Sequence, residues 1–214
     1  MKNKEERIMN CWNHNFIIYL NISAFLIMKT TDRQETLRQI REWVWVDLEM
    51  TGLDPNIDKI IEIATLVTNT NLDVIAEGPN LVIHQPDTVL SKMDKWNVKH
   101  HSSSGLLNKV KLSDITTKEA EKQTLKFIKK FAKEKECVLC GSSIYHDKNF
   151  LKVHMPKLHD FFHYRVIDVA SIIELAKRWY PKVKPYKYNA IHRAQEDIIE
   201  SIEALKYYRM AIFE

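Results

Sequence analysis

Glycine, proline and cysteine are scarce in this chain. Its 214 residues include 4 glycines, 6 prolines and 3 cysteines. The shortage of glycine and proline argues against repeats, flexible linkers and low-complexity segments. An odd and small number of cysteines indicates a reducing compartment rather than a disulfide framework. The hydrophobic content of 45% and the charged content of 28% are typical of a globular protein, and the length allows one domain with a full core.

A strong charge of one sign is also absent. The net charge of +4 is too small to predict tight binding of a long polyanion, although it is compatible with a short anionic substrate. Cys137 and Cys140 have CxxC spacing, but no second pair completes a zinc site. Because they lie in a run typical of a β-strand, the sequence favours buried strand residues over a metal or redox role.

No apolar run reaches the length of a typical membrane-spanning helix, which needs about 20 residues. The main candidate, Phe16–Met28, is shorter and contains Asn21 and Ser23. Basic residues precede it, as in a signal peptide, but no clear cleavage site follows, and nearby acidic residues argue against a transit peptide. Translation starting at Met28 is a third interpretation. We therefore separate an N-terminal extension, residues 1–40, from a domain at residues 41–214.

The expected location of the protein is the cytoplasm, without stable membrane association. Targeting to an organelle by the extension stays open at this point, because the three interpretations of residues 1–40 lead to different destinations.

The most informative segment is Asp47-Leu48-Glu49, at the end of the apolar run Trp43–Val46. A β-strand places residues i and i+2 on one face, so both carboxylates would point to the same side. Like charges this close repel each other, and a divalent cation is a common way to offset the repulsion. A turn signal at residues 51–55 puts the pair beside a loop that could meet a ligand. The alternative is two exposed acids at a strand terminus.

The order of predicted elements indicates the fold. Three strands with short connections form an antiparallel meander, and helices and strands then alternate. The strands are predicted at residues 43–47, 60–68, 74–84, 137–142 and 164–168, and the helices at 117–133, 148–155, 170–179 and 190–212. This order predicts an α/β protein with a ribonuclease H-like mixed sheet, an antiparallel three-strand meander plus parallel strands, flanked by helices.

Two further acids follow elements that such a sheet would bring together. Asp147 comes after the fourth strand, and Asp197 lies early in the last helix. With Asp47 and Glu49 they could bind two hard cations, Mg²⁺ or Mn²⁺, through oxygen ligands. Two such ions about 3.5–4 Å apart stabilise the attacking and leaving oxygens of an in-line phosphoryl displacement.

His192 is the candidate general base, because the pKa of histidine suits proton removal from water near neutral pH. On an ideal helix Asp197 would lie about 140° around the axis from His192, whereas Glu196 at i+4 would lie near it. Helical spacing therefore does not choose between the two acids. It favours a position of His192 in the loop before the helix, with an ordinary surface or capping histidine as the alternative.

Several longer segments resemble one family. They are Val44–Leu53, Ala76–Pro79, Phe162–Arg165 and Ile167–Val169. With these segments, the chain from about residue 43 to residue 213 resembles the oligoribonucleases, which are DEDD-type 3′–5′ exonucleases of the histidine subclass. The resemblance implies that residues 41–214 form an exonuclease domain, and it selects Asp197 over the neighbouring glutamate. The catalytic residues that it implies are the metal ligands Asp47, Glu49, Asp147 and Asp197 and the general base His192.

The same resemblance implies a set of substrate-binding residues. They are Ser143, Arg165 and Ser171 at the 5′ phosphate, His101 and Tyr164 elsewhere at the substrate, and Leu53 and Trp96 against the bases. The planar guanidinium of arginine can donate two parallel hydrogen bonds to a phosphate. Stacking on an aromatic side chain contributes roughly 1–3 kcal/mol per base and tolerates any base. The alternatives are Trp96 as a half-buried packing residue and Arg165 in a salt bridge at a strand edge.

Ala170 departs from the family pattern. It stands where the family usually has a hydroxyl residue, so the site for the 5′ phosphate would lose one hydrogen bond, about 0.5–1.5 kcal/mol. Glu196, where many relatives have aspartate, is a milder change.

The resemblance implies a homodimeric 3′–5′ exoribonuclease that degrades very short oligoribonucleotides, dinucleotides above all, to nucleoside 5′-monophosphates by two-metal-ion hydrolysis. In that reaction water attacks the last phosphodiester and His192 accepts its proton. One alternative is an exonuclease of the same subclass that trims longer RNA or DNA 3′ ends. Another is a nucleotide- or RNA-binding protein with an inactive site, against which the presence of all four acids and the histidine argues.

Overall fold

A mixed sheet of five strands runs through the part of the chain that the computed structural model describes, residues 42–189 and 192–213. The strands are β1 (Glu42–Met50), β2 (Ile60–Asn69), β3 (Val74–Val82), β4 (Leu139–Gly141) and β5 (Val166–Asp168). Their order is β3-β2-β1-β4-β5. The pairs β1–β2 and β2–β3 are antiparallel, whereas β1–β4 and β4–β5 are parallel. The predicted fold class, a three-strand meander extended by parallel strands, is confirmed.

Eight helices and one π-helical turn accompany the sheet within the described residues. They are α1 (Asp87–Leu90), α2 (Lys95–Ser103), α3 (Leu106–Leu112), α4 (Thr117–Ile128), α5 (Tyr145–His154), α6 (Pro156–Phe161), α7 (Val169–Trp179), α8 (Ala194–Tyr208) and the turn Arg209–Phe213. In this part of the chain no helix has the length and the hydrophobicity that a membrane crossing requires. The predicted extension, residues 1–40, lies outside the described residues and stays a prediction.

Helices cover both faces of the sheet, and β1 contributes to both cores. Val44, Val46 and Leu48 belong to a core that includes residues of α4, α5 and α6. Trp45 belongs to a second core, which includes residues of α7 and α8. Since side chains alternate along a strand, Asp47 and Glu49 share the face of Trp45, on the side of α8. This alternation brings the two acids toward the helix that contains Asp197.

The central strand of the meander, β2, is almost completely buried. Nine of its ten residues are buried, because the sheet is covered on both faces at this position. Its β-branched side chains fit such a surface, as the sequence pattern indicated. Glu62 differs from the other buried residues of β2 because it has a carboxylate side chain. It is 0% exposed in an otherwise mostly apolar strand. In the antiparallel register it lies directly opposite Glu49.

Several predicted boundaries differ from the structure. The predicted helix at 117–133 ends at Ile128, because the amides of Lys130 and Phe131 bond to carbonyls three residues earlier and tighten the chain into turns. The helix predicted at 148–155 begins earlier, at Tyr145, so Asp147 lies inside its first turn rather than before it. The last helix begins later than predicted, at Ala194.

Candidate active site

Three carboxylates from two elements converge on one side of the sheet. Asp47 and Glu49 come from β1, and Asp197 comes from the first turn of α8, which packs on β1 and β2. Each offers a carboxylate oxygen, and these oxygens all lie within 4.8 Å of one another. Such a set of hard oxygen donors is what Mg²⁺ or Mn²⁺ requires. We call these three residues the acidic cluster.

Burial and mutual repulsion disfavour the ionised form of the acidic cluster. Burial raises the pKa of Glu49 to about 8, and the charge of Asp197 adds to the shift. Burial also raises the pKa of Asp197 to about 6, with Glu200 and Glu196 contributing. The pKa of Asp47 is raised well above its ordinary value, first by burial. Carboxylates that are costly to ionise in the absence of a cation fit a cation site, because a bound cation favours their ionised form.

Asp147 is adjacent to the acidic cluster but not among the three converging residues. It lies in the first turn of α5 and is 5% exposed, and its Oδ1 accepts a hydrogen bond of 2.9 Å from the backbone N–H of Leu48. Burial raises the pKa of Asp147 to about 7. Among charged groups, Asp147 contributes most to the raised pKa of Asp47. The structure therefore places all four predicted acids in one electrostatic neighbourhood.

His192 lies in the segment before α8, as the spacing argument favoured. Its backbone has a φ of 54°, a left-handed conformation that is uncommon outside glycine. Its ring makes edge contacts with the rings of Trp96 and His100, at centroid distances of 5.8 and 4.9 Å. Its backbone also forms a hydrogen bond with Asp197 that lowers the pKa of that carboxyl.

A cavity of about 280 Å³ joins His192 to the acidic cluster. Asp47, Asp197 and His192 all line it. The predicted base and two predicted ligands therefore face one space, which is large enough for a water molecule and a phosphate group. Glu196 neither lines this cavity nor belongs to the acidic cluster, so among the described residues Asp197 is the acid that meets β1.

The sequence analysis did not identify the other residues of this cavity. They are Ser142, Tyr188, Glu200 and Ser201. Glu200 is buried and accepts hydrogen bonds from the backbone and side-chain nitrogens of Asn189, at 2.7 and 2.6 Å. The sequence contains one indication that Glu200 belongs to the site. It lies three residues after Asp197 and therefore on the same side of the helix.

His101 is buried beside Glu49 instead of being exposed to solvent. It is 2% exposed, and its Nε2 lies 3.0 Å from the carbonyl oxygen of Met50. A carbonyl only accepts, so Nε2 holds the proton and Nδ1 is the free acceptor. Nδ1 lies 3.7 Å from Glu49 Oε2. Burial lowers the pKa of His101, which favours the neutral ring. Its contact with substrate stays a prediction.

The predicted base-stacking residues are exposed. Leu53, in the turn after β1, is 67% exposed, and Trp96, in the first turn of α2, is 57% exposed. Asp94 accepts a hydrogen bond of 2.9 Å from Asn97 N and so fixes the start of α2. The Trp96 ring stacks on His100 at a centroid distance of 3.8 Å. The exposed Trp96 ring is thus held in place by His100, a residue of the same helix.

Asp168 links two of the residues predicted at the 5′ phosphate. Its Oδ1 accepts hydrogen bonds from Ser143 N at 2.8 Å and from Ala170 N at 3.0 Å. Ser171 Oγ lies 3.5 Å from its Oδ2. Asp168 therefore caps α7 and also holds Ser143, whose φ is 54°, close to the start of that helix.

Arg165 and Tyr164 lie exposed on the same surface. Arg165 Nε donates to the Tyr164 hydroxyl at 3.1 Å, and its guanidinium lies 5.4 Å from the centre of that ring. Within the described residues Arg165 makes no salt bridge, so the alternative of a salt bridge at a strand edge finds no support there. The Arg165 guanidinium therefore has further N–H groups that could donate hydrogen bonds to an anion.

Comparisons with known proteins identify the family of this chain. The exonuclease family RNase_T matches residues 44–205. The oligoribonuclease of Acinetobacter baylyi is 50% identical over 171 residues, which are 79% of this chain and 93% of that protein. The oligoribonuclease of Coxiella burnetii is 51% identical over 167 residues, 78% of this chain and 91% of that protein.

Solved structures support the fold. The zinc-bound E. coli exonuclease I complex with single-stranded DNA matches with a TM-score of 0.65 and 13% identity, over 82% of this chain and 42% of that chain. Exonuclease I of Methylocaldum szegediense matches with a TM-score of 0.63 and 15% identity, over 81% of this chain and 41% of that chain. The chain thus spans about two fifths of those proteins. From its close relatives and its matching family, this chain belongs to the oligoribonucleases, a family of 3′–5′ exoribonucleases.

Proposed function

We propose that this exoribonuclease degrades very short oligoribonucleotides, dinucleotides above all, to nucleoside 5′-monophosphates, using two divalent cations, Mg²⁺ or Mn²⁺. The proposed ligands are Asp47, Glu49, Asp147 and Asp197, and the proposed general base is His192. The name of the relatives, oligoribonuclease, supports a short RNA substrate. The observation that most supports the metal site is the convergence of three carboxylate oxygens within 4.8 Å.

The donor set fits divalent cations. When bound, two such ions activate a water molecule and stabilise the attacking and leaving oxygens of an in-line displacement. Asp47, Glu49 and Asp197 supply oxygens from one side, and Asp147 supplies a fourth carboxylate whose Oδ1 is fixed by Leu48 N. These side chains would hold the ions beside the cavity that His192 also lines, and the bound ions would supply the positive charge that a reacting phosphate requires. There the His192 ring accepts a proton from the attacking water.

Short substrates are held by their two ends in this proposal. Leu53 and Trp96 present exposed apolar surface to the bases, and Arg165 presents an exposed guanidinium to the 5′ phosphate. Asp168 joins Ser143 and Ser171, and the bonded pair Tyr164 and Arg165 lies shortly before Asp168 in the chain. A binding site that ends at a phosphate group favours a chain of only a few nucleotides, because a longer chain would collide with that end.

A homodimer is part of the proposal. Tyr164 is 71% exposed and Trp179 is 67% exposed, and Leu175 and Ile199 are also exposed. In α7 only Val169 and Ala176 are buried, although the helix is strongly amphipathic. Apolar side chains exposed in this number favour contact with another protein surface. We also propose a cytoplasmic location, which is supported by two buried and unpaired cysteines among the described residues, Cys137 and Cys140.

Substrate length is the direct test of this function. Cleavage of a 5′-phosphorylated RNA dinucleotide is compared with cleavage of a 20-mer in Mg²⁺ or Mn²⁺, and we expect much faster turnover of the dinucleotide. Equal or faster cleavage of the 20-mer would favour the alternative, an exonuclease that trims longer RNA or DNA. His192→Ala and Asp147→Ala should each remove most of the activity. Retention of activity in both variants would refute the proposed site. Light scattering that finds an active monomer would refute the dimer.

A further inference from the structure

A buried ion pair lies beside the acidic cluster, next to Glu49 in the sheet. Glu62 in β2 is 0% exposed, and the side chain of Arg193 is 13% exposed. Arg193 Nε lies 3.2 and 3.0 Å from the two oxygens of Glu62, and Arg193 Nη2 lies 2.5 Å from Oε1. The pair is therefore bidentate, the geometry in which a guanidinium holds a carboxylate most firmly.

The two partners connect the sheet to the segment that holds the proposed base. Glu62 lies opposite Glu49 in the β1–β2 register. Arg193 follows His192 and immediately precedes the first residue of α8. The pair thus joins Glu62, the strand neighbour of the proposed ligand Glu49, to Arg193, the residue after the proposed base. The two partners are 131 residues apart in the sequence.

Glu62 also caps α8 from outside the helix. Arg193 occupies the N-cap position but offers no side-chain cap to the helix. The N–H of Ala194, which has no partner within the helix, instead lies 3.3 Å from Glu62 Oε2. A carboxylate at this end is favoured by the helix dipole. The Glu62 side chain thus joins the start of α8, with Asp197 in its first turn, to β2.

The conformation of His192 requires such an anchor. A non-glycine residue with φ near 54° is strained and persists only where its surroundings hold it. On its N-terminal side, Glu200 holds Asn189 by two hydrogen bonds. On its C-terminal side, Glu62 holds Arg193. Arg193 also balances the charge of Glu62, which would otherwise stand unpaired beside the acidic cluster.

We propose that Glu62 and Arg193 are positioning residues for the hydrolysis, and that their ion pair holds His192 and Asp197 in the reactive arrangement. The proposal rests on the assignment of His192 as general base and Asp197 as metal ligand. Neither Glu62 nor Arg193 contacts the substrate in this proposal. Their effect reaches the reaction through the backbone of residues 192–197.

Arg193→Lys is the main test variant, because it keeps the charge beside Glu62 and removes the bidentate fork. The double variant Glu62→Gln/Arg193→Gln removes both charges together, so it leaves no buried unpaired ion and keeps the test valid if the lysine variant fails to fold. Lys206→Gln is the matched control, since Lys206 pairs with Glu203 at 2.8 Å on the exposed side of the same helix.

Two measurements separate positioning from a general loss of stability. In steady-state cleavage of the dinucleotide we expect kcat to fall at least about tenfold in Arg193→Lys with KM changed little, because small misplacements of a catalytic group cost rate. In the metal-free protein we expect faster backbone hydrogen exchange at residues 189–198 than in wild type. Lys206→Gln should match wild type in both measurements. Unchanged kcat and unchanged exchange in the folded Arg193→Lys or double variant would overturn the proposal.

A combination with His192→Ala tests whether Arg193 acts through His192. We expect Arg193→Lys to slow the His192→Ala protein by a smaller factor than it slows wild type, since the base that Arg193 positions is already absent and only the effect on Asp197 is left. Losses that multiply would overturn this route. If His192→Ala itself keeps wild-type activity, the assignment of His192 as general base is wrong. That result does not decide the role of the ion pair, because hydrogen exchange of the metal-free protein tests the ion pair separately.

Discussion

The Asp147 carboxylate accepts a hydrogen bond of 2.9 Å from the backbone N–H of Leu48, the residue between Asp47 and Glu49. One acid of α5 is thus bonded to the strand that supplies two others. The pairing of β1 with β4 involves only Val44 and Trp45 of β1, so β4 does not provide a partner for this N–H. Asp147 takes that place, which makes it both a support for β1 and a proposed ligand.

These two roles can be separated by substitution. We expect Asp147→Asn not to lower the melting temperature of the metal-free protein, because an amide oxygen still accepts from Leu48 N, while its turnover falls at least about 100-fold for lack of the charge. Asp147→Ala should in addition lose about 1–3 kcal/mol of unfolding free energy by leaving that N–H unpaired. Thermal melting and dinucleotide hydrolysis measure the two effects. Wild-type turnover in the asparagine variant would contradict the ligand role.

The stability of the metal-free protein should depend on pH with a defined sign. The pKa values of Glu49, Asp147 and Asp197 are raised to about 8, 7 and 6, first by burial in each case. The folded state therefore binds these protons more tightly than the unfolded chain, and the unfolding free energy falls as pH rises from about 4 to about 8.

Added Mg²⁺ or Mn²⁺ should reverse this trend, because the ions bind the ionised carboxylates of the folded state. Melting temperatures with EDTA and with excess metal, at pH 5 and at pH 8, measure the effect. We expect the larger metal-dependent increase at pH 8. An equal increase at both pH values would indicate that the raised pKa values do not belong to the metal site.

Trp96 should contribute to affinity through base stacking. We expect Trp96→Ala to raise KM for a dinucleotide by about 5- to 150-fold, which corresponds to roughly 1–3 kcal/mol for one stacked base. Leu112→Ala is the control, since Leu112 is an apolar side chain with 86% exposure that lies outside the site. An unchanged KM in Trp96→Ala would show that Trp96 does not carry a base.

Ala170→Ser should restore a hydroxyl beside Ser171. Ala170 N is already held by Asp168 at 3.0 Å, so the new side chain starts from a fixed backbone. We expect the preference for a 5′-phosphorylated over a 5′-hydroxyl dinucleotide to rise about 2- to 10-fold, the effect of one added hydrogen bond of about 0.5–1.5 kcal/mol. The ratio of kcat/KM for the two substrates measures it, and the 5′-hydroxyl substrate alone serves as the control for overall activity. No change in the ratio would remove Ala170 from the phosphate site.

The strands of the meander were predictable because their signals are local. β-branched runs and short connections identify β1, β2 and β3 within a few residues. The helices between residues 87 and 112 were missed, since α1 and α3 are short and α2 combines Trp96 and Val98 with mostly polar side chains. Their existence depends on packing against the sheet rather than on a strong period in the sequence.

The candidate site was predictable in part, because several of its residues lie at or close to the ends of strands and helices. Asp47, Glu49 and Asp197 follow from such positions and from the family resemblance. The pair of Glu62 and Arg193 joins residues 131 apart, and no local pattern indicates that they meet. A buried acid in an apolar strand was the one available sign, because such a charge requires a partner. The burial of His101 beside Glu49 likewise depends on the tertiary fold.

Alternate side chains of β1 lie on opposite faces of the sheet and have different roles. Val44, Val46 and Leu48 belong to one core, whereas Trp45, Asp47 and Glu49 lie on the face that α8 covers. A single-residue insertion or deletion between positions 44 and 47 would exchange the two sets and put carboxylates among apolar side chains such as Phe150. Such a change removes the fold and the chemistry at once, so within this strand evolution can alter side chains one at a time but cannot alter length.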